Sequence, residues 1–187
     1  MKRIAIVITS THGQTAKIAE SMREILETLG HAVHVYRLRN WGDVSKVSPF
    51  GYDGVIIGGS GYGSQLSRML TEWVYSNAAR LNAMPIAFFT VGLNPLDERI
   101  HARFEDVRVI EQFLRESGLA TKITASLIGS LDYTKYGPFK RFVAKRLWGR
   151  LGCSTDTSVD HEMTDWEMVS NLTLEFEQEV TRRLRVR

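Results

Sequence analysis

The run Arg3-Ile4-Ala5-Ile6-Val7-Ile8-Thr9-Ser10-Thr11-His12-Gly13-Gln14-Thr15, continued by a helical pattern to Leu29, decides how this chain is read. Ile4 to Ile8 are apolar and mostly β-branched, which suits a strand covered on both faces, as in a parallel sheet. After the turn, Ile18, Ala19, Met22, Ile25, Leu26 and Leu29 recur at helical spacing, and Gly30 stands where a C-cap belongs. The order is strand, hydroxyl-rich turn, helix. A helix start has free N–H groups and a partial positive charge, so Ser10 to Thr15 are placed to cradle a phosphate.

What the turn lacks narrows the kind of phosphate. A GxxxxGK[ST] loop would need a lysine, and none is present. A dinucleotide fingerprint would need GxGxxG, and Gly13 is the turn's one glycine. What remains is a cradle of hydroxyls and amides with no fixed cation, suited to one terminal phosphate monoester. Ser10, Thr11 and Thr15 could equally serve only to cap the helix, and the turn alone leaves both readings open.

A chain of 187 residues with 43% hydrophobic content reads as a single domain over residues 1–187 with a sizeable core. Cys153 is alone, which rules out an intrachain disulfide and suits a reducing, cytoplasmic compartment. Met1-Lys2-Arg3 runs straight into the first strand, with no signal-peptide pattern. No uncharged apolar run is long enough to span a bilayer. There is no internal repeat and no low-complexity segment.

Further along, Ala32 to Leu38 alternates around Val33 and Val35 and reads as a second, less buried strand at an edge. Arg39 to Phe50 reads as a loop, and Val55 to Gly58 as a short buried strand. The glycine-rich segment Gly59-Ser60-Gly61-Tyr62-Gly63-Ser64 would let backbone approach a flat ligand with the tyrosine ring against it; a plain βα turn is the alternative. A helix over 66–81 should bury Met69, Leu70, Trp73, Val74 and Ala78. Ile86 to Val91 is a fourth strand, ending in the loop Gly92-Leu93-Asn94-Pro95. A helix over 100–116 carries Phe104, Val107, Ile110 and Leu114 on one face, and Ile123 to Leu131 is a fifth strand. Thr164-Asp165-Trp166-Glu167 matches a capping box opening a last helix, with Trp166, Val169, Leu172, Phe176 and Val180 inward.

Alternating strands and helices imply an α/β fold with a doubly wound, five-stranded parallel sheet. Ligands in such sheets sit beyond the strand C-termini at the switch point of strand order. The loops at 10–15, 59–64 and 92–95 all leave strand C-termini and should converge there. A cradle for one phosphate beside two loops able to embrace a flat ring points to FMN.

Ser10-Thr11-His12-Gly13-Gln14-Thr15 resembles the phosphate loop of flavodoxins. Within that superfamily, residues 79–89, Thr155-Asp156-Thr157 and Thr164-Asp165-Trp166-Glu167 resemble the flavodoxin-like bacterial protoporphyrinogen IX dehydrogenases that use quinone. The resemblance extends from about Ile4 to Phe176. It implies that Ser10, Thr11, His12, Gly13, Gln14 and Thr15 hold the FMN phosphate. It also implies that Ser60, Gly61, Tyr62, Gly63, Val91, Gly92, Leu93 and Asn94 border the isoalloxazine. His12 replaces an acidic residue of those enzymes, and an imidazole beside a phosphate is chemically compatible. The stretch 94–103 is less basic than its counterpart.

Residues 132–163 form an insertion before the last helix. Six of the 24 Lys and Arg, namely Lys135, Lys140, Arg141, Lys145, Arg146 and Arg150, fall between 135 and 150, with no acidic residue among them. The other 18 face 21 acidic residues, so the basicity behind the pI of about 9.1 is concentrated in this segment. Phe139, Phe142, Val143 and Leu147 share a helical arc with cations around it, which suits an anionic membrane surface or an acidic substrate. A solvated basic helix is the plain alternative. No nucleic-acid-binding module accompanies the patch, and no metal-ligating cluster stands out.

Two functions follow. One is an enzyme, peripheral on the cytoplasmic face of the membrane, in which FMN takes electrons from protoporphyrinogen IX and passes them to menaquinone or ubiquinone. No catalytic constellation of side chains stands out for it. The other is a flavodoxin-type electron carrier docking on redox proteins, although carriers of that type are usually acidic. Homo-oligomer formation stays open.

Overall fold

The computed structural model describes residues 1–11, 13–60, 66–92, 101–131, 156 and 161–183. Elements are numbered in chain order among these. Five strands, β1 (Arg3–Ile8), β2 (Ala32–Arg37), β3 (Gly54–Ser60), β4 (Ile86–Gly92) and β5 (Ile123–Ile128), form one sheet. Its order is β2-β1-β3-β4-β5, with every pair parallel. Strand order reverses between β1 and β3. β2 is the edge strand anticipated from its mixed composition, and its residues are mostly half-buried.

Alternation along the strands feeds two cores. Ile4, Ile6, Ile8, Ile56, Ala87, Phe89 and Val91 face α1 (Gln14–Thr28) and the last helix, α5 (Trp166–Arg182). Ala5, Val7, Val55, Ile57, Ile86 and Phe88 face α3 (Arg68–Leu81) and α4 (His101–Ser117). Both faces are covered, which explains why β1, β3 and β4 read as nearly continuous apolar runs. Complete burial of Ile18, Met22 and Leu26 on α1 is worth about 1.5–3 kcal/mol per side chain. Gly30, at φ +85°, closes α1 in a Schellman arrangement: His31 N–H donates to Leu26 C=O and Gly30 N–H to Glu27 C=O.

Several expectations are corrected. The segment 39–50 contains a short helix, α2 (Trp41–Lys46), held by a reciprocal cap between Asn40 and Asp43. Leu29 is exposed and Ile25 half-buried, because α1 ends at Thr28. On α3, which starts at Arg68, Met69 and Ala78 are half-buried and Leu81 completes the stripe. On α4, Phe113 and Ile110 are buried while Leu114 is half-buried; the Phe104 and Val107 side chains lie outside the described residues.

The fifth strand breaks at Gly129. Beyond it, β6 (Ser130–Leu131) pairs antiparallel with β7 (His161–Glu162), outside the main sheet. β6 directly precedes the segment read as an insertion, and β7 lies at that segment's C-terminal end.

Asp165, not Thr164, caps α5 by accepting from Met168 N–H at 3.0 Å, since the Thr164 hydroxyl is engaged elsewhere. The buried stripe of α5 begins at Val169, and Trp166 in its first turn is exposed.

Candidate functional site

β1 delivers the chain to the C-terminal rim at Thr9 and Ser10. Ser10 Oγ accepts from Gly13 N–H at 3.2 Å, tightening the turn. Gly13 is the N-cap of α1 with φ +100°, a conformation glycine adopts without penalty. The first intrahelical bond is Lys17 N–H to Gly13 C=O at 3.1 Å. The amides of Gln14, Thr15 and Ala16 therefore precede the hydrogen-bond ladder, and no side chain caps the helix at Gly13. The capping reading of the turn fails here: Ser10 serves Gly13, and Thr11 Oγ1 meets Ser60 Oγ at 3.4 Å. A helix start left open, with hydroxyls around it, suits an anion.

The ends of β1, β3 and β4 lie side by side. Thr9 N–H donates to Gly58 C=O at 3.0 Å, and Ser60 pairs with Val91. Ser60 and Gly92 end their strands on the rim that Ser10 reaches, while Val91 is buried within β4. Gly59 belongs to β3 rather than to the loop. A Cβ there would fall 2.7 Å from Leu70 Cδ2, so its absence serves packing. His12, Gly61, Tyr62, Gly63, Leu93 and Asn94 lie outside the described residues, as do Lys135, Lys140, Arg141, Lys145, Arg146 and Arg150.

Two features depart from the sequence reading. The Gln14 side chain turns away from the cradle. Its Nε2 donates to Thr164 Oγ1 at 2.8 Å and to Glu162 Oε1 at 2.5 Å, so only its backbone amide faces the open helix start. Lys17 pairs with Glu162 at 3.6 Å, tying α1 again to the ribbon. A cation is also fixed beside the turn. Arg37, the last residue of β2, donates from Nη2 to Ser10 C=O at 2.6 Å. It follows Val33 and Val35 on the strand face turned toward α1, a parity visible in the sequence once β2 is known to lie beside β1.

Thr9 is buried, and its Oγ1 has no hydrogen-bond partner among the described residues. Among the described residues no group of His, Cys, Asp and Glu could hold a metal ion, and no helix is long and apolar enough to cross a membrane.

The strand order and the open turn after β1 define a flavodoxin-like α/β protein. Residues 5–158 match the flavodoxin domain family, and the chain belongs to that family. As a flavodoxin-domain protein it takes FMN as its cofactor, and the open, hydroxyl-lined start of α1 fits the single phosphate of that molecule. The chain is 30% identical over 171 residues to protoporphyrinogen IX dehydrogenase [quinone] of Escherichia coli K12, covering 91% of this chain and 92% of that protein. The protein of the same name from Leishmania major is 28% identical over 127 residues, 67% of this chain and 54% of that protein. Among solved structures, flavodoxin 2 of Bacillus cereus superposes with a TM-score of 0.53 at 18% identity, covering 94% and 98% of the two chains.

Proposed function

We propose that this chain is an FMN-dependent oxidoreductase that converts protoporphyrinogen IX to protoporphyrin IX with a membrane quinone, menaquinone or ubiquinone, as acceptor. The observation that carries the proposal is near-full-length similarity to a dehydrogenase of that name, joined to an uncapped, hydroxyl-lined helix start at the β1/β3 switch point. FMN when bound supplies two-electron redox chemistry, and the protein supplies binding, orientation and electrostatics. Protoporphyrinogen IX loses six hydrogens to become aromatic, and three quinones each take up two.

In this reading the amides of Gln14 and Thr15, with the hydroxyls of Ser10, Thr11 and Thr15 and the adjoining His12 and Gly13, receive the phosphate. Ser60, Gly61, Tyr62, Gly63, Val91, Gly92, Leu93 and Asn94 border the isoalloxazine. Lys135, Lys140, Arg141, Lys145, Arg146 and Arg150 supply the positive charge that meets the propionates of the substrate or anionic headgroups, making the protein peripheral on the membrane.

The test is anaerobic turnover of the FMN-loaded protein with protoporphyrinogen IX and each quinone in anionic vesicles. It is repeated with Lys140, Arg141, Lys145 and Arg146 changed to Glu. Quinone-dependent porphyrin formation that falls on charge reversal supports both halves of the proposal. Turnover unchanged by the reversal would remove the basic segment from docking. No turnover, with ready reduction by a reductase protein, would make the chain an electron carrier.

A further inference from the structure

We infer that Arg37 is the positioning residue that makes this site prefer a phosphorylated flavin; the inference rests on the phosphate cradle proposed above. A loop that turns its amides toward an anion must turn carbonyls away, and each such carbonyl needs a donor. Ser10 C=O is that carbonyl, and Arg37 Nη2 meets it at 2.6 Å. The Ser10 side chain meanwhile holds Gly13 N–H at 3.2 Å. Ser10 is thus gripped from two sides, by the edge strand through its carbonyl and by the helix start through its hydroxyl.

The location of this charge is set by the sheet. Arg37 lies opposite Ile8 in the β1–β2 register, and Ser10 is two residues beyond Ile8. The next backbone bond, Leu38 N–H to Ile8 C=O at 2.8 Å, fixes the end of β2 against the end of β1. The guanidinium therefore stands behind the loop, on a rigid element. Among the described residues no carboxylate pairs with it, whereas Lys17 is paired with Glu162 and Arg23 with Glu20 and Glu27. Arg37 is half-buried, so bulk water screens it less than a fully exposed cation. A partly buried cation that meets the Ser10 carbonyl, with no carboxylate on it among the described residues, adds its field to that of the nearby α1 N-terminus. Both favour the charged phosphate of FMN, and neither acts on the ring or on the uncharged chain of riboflavin.

The test compares dissociation constants of FMN and riboflavin for the apoprotein, wild type against Arg37→Met and Arg37→Lys, at low and high salt. In the wild type, FMN should bind more tightly than riboflavin, by a margin that shrinks as salt rises. Arg37→Met should cut that margin about tenfold, the scale of one charge-assisted hydrogen bond, and leave riboflavin binding within about twofold. Arg37→Lys should keep most of the margin. Equal loss of both ligands in Arg37→Met would reduce Arg37 to support of the loop and overturn the inference, as would an unchanged margin. Should Arg37→Met not fold, a wild-type margin that ignores salt would overturn it alone. A wild type with no preference for FMN would instead refute the cradle.

Discussion

The side-chain amide of Gln14, in the first turn of α1, donates to the hydroxyl of Thr164 at 2.8 Å across 150 residues of sequence. Thr164 Oγ1 in turn donates to Ile128 C=O at 3.0 Å, and both side chains are buried. A Cβ at the neighbouring Gly129 would lie 3.2 Å from Val91 Cγ1, a tight contact, and at an ordinary 3.8 Å from Gln14 Cγ. The start of the cradle helix, the end of β5 and the approach to α5 are thus one hydrogen-bonded unit. Thr164→Val keeps the shape and removes the relay. It should destabilise the protein by about 1 kcal/mol, since Ile128 C=O loses its donor in a partly buried place. Thr164→Ser should recover most of that loss. Urea unfolding of the three proteins measures it, and equal midpoints for Val and wild type would contradict the relay.

Two glycines should fail for different reasons. Gly13→Ala meets open space but must hold φ +100°, so its cost is conformational, about 1–2 kcal/mol. Gly58→Ala would put a Cβ 2.2 Å from Phe89 Cζ, so its cost is overpacking, about 1–3 kcal/mol. Combining each with Phe89→Leu in a double-mutant cycle separates them. The second change should rescue Gly58→Ala in part and leave Gly13→Ala untouched, and rescue of both would contradict the assignment.

Much of this architecture is legible in the residues. The runs at 4–8 and 86–91 are nearly all apolar because helices cover both faces of their sheet. β2 alternates because it is an edge. The positions missed were those decided by distant partners. Nothing local to Gln14 says that its amide will meet Thr164, and Arg37 reaches Ser10 only because β2 pairs with β1 in one register. α2 escaped for a different reason: it buries no residue, so no apolar period marks it, although Asn40 and Asp43 spell its cap. Gly59 read as a loop residue because glycine signals both flexibility and close packing, and only the position of Leu70 decides between them.

On the face of β2 opposite Arg37, Tyr52 OH and Tyr36 OH are hydrogen-bonded at 2.5 Å. Burial, then this bond, pushes the Tyr52 phenol up to about 12, against about 10 for a free tyrosine. A group raised on folding contributes stability in full below its unfolded value and loses it as pH passes its folded value. The folded protein should therefore lose stability between about pH 10 and 12 through this residue. Phenolate absorbance should show one of the six tyrosines ionising late, and Tyr52→Phe should abolish that late step. Ionisation of all tyrosines together near pH 10, with the protein still folded, would contradict it.

Thr9, at the end of β1, holds a buried hydroxyl without a partner among the described residues. Thr9→Val keeps the β-branched shape and removes an unsatisfied polar atom. The apoprotein should be unchanged or more stable by up to about 1 kcal/mol in thermal unfolding. Destabilisation beyond that would mean that the hydroxyl has a partner in solution.

In the proposed function, electrons enter this protein directly from a porphyrinogen. Mixing FMN-loaded protein anaerobically with protoporphyrinogen IX, without quinone, isolates that half of the reaction. The account predicts bleaching of the oxidised flavin band with matching growth of porphyrin fluorescence, and return of the flavin band when menaquinone or ubiquinone is added. A flavin band that persists in excess porphyrinogen, yet bleaches at once with a flavodoxin reductase, would contradict it.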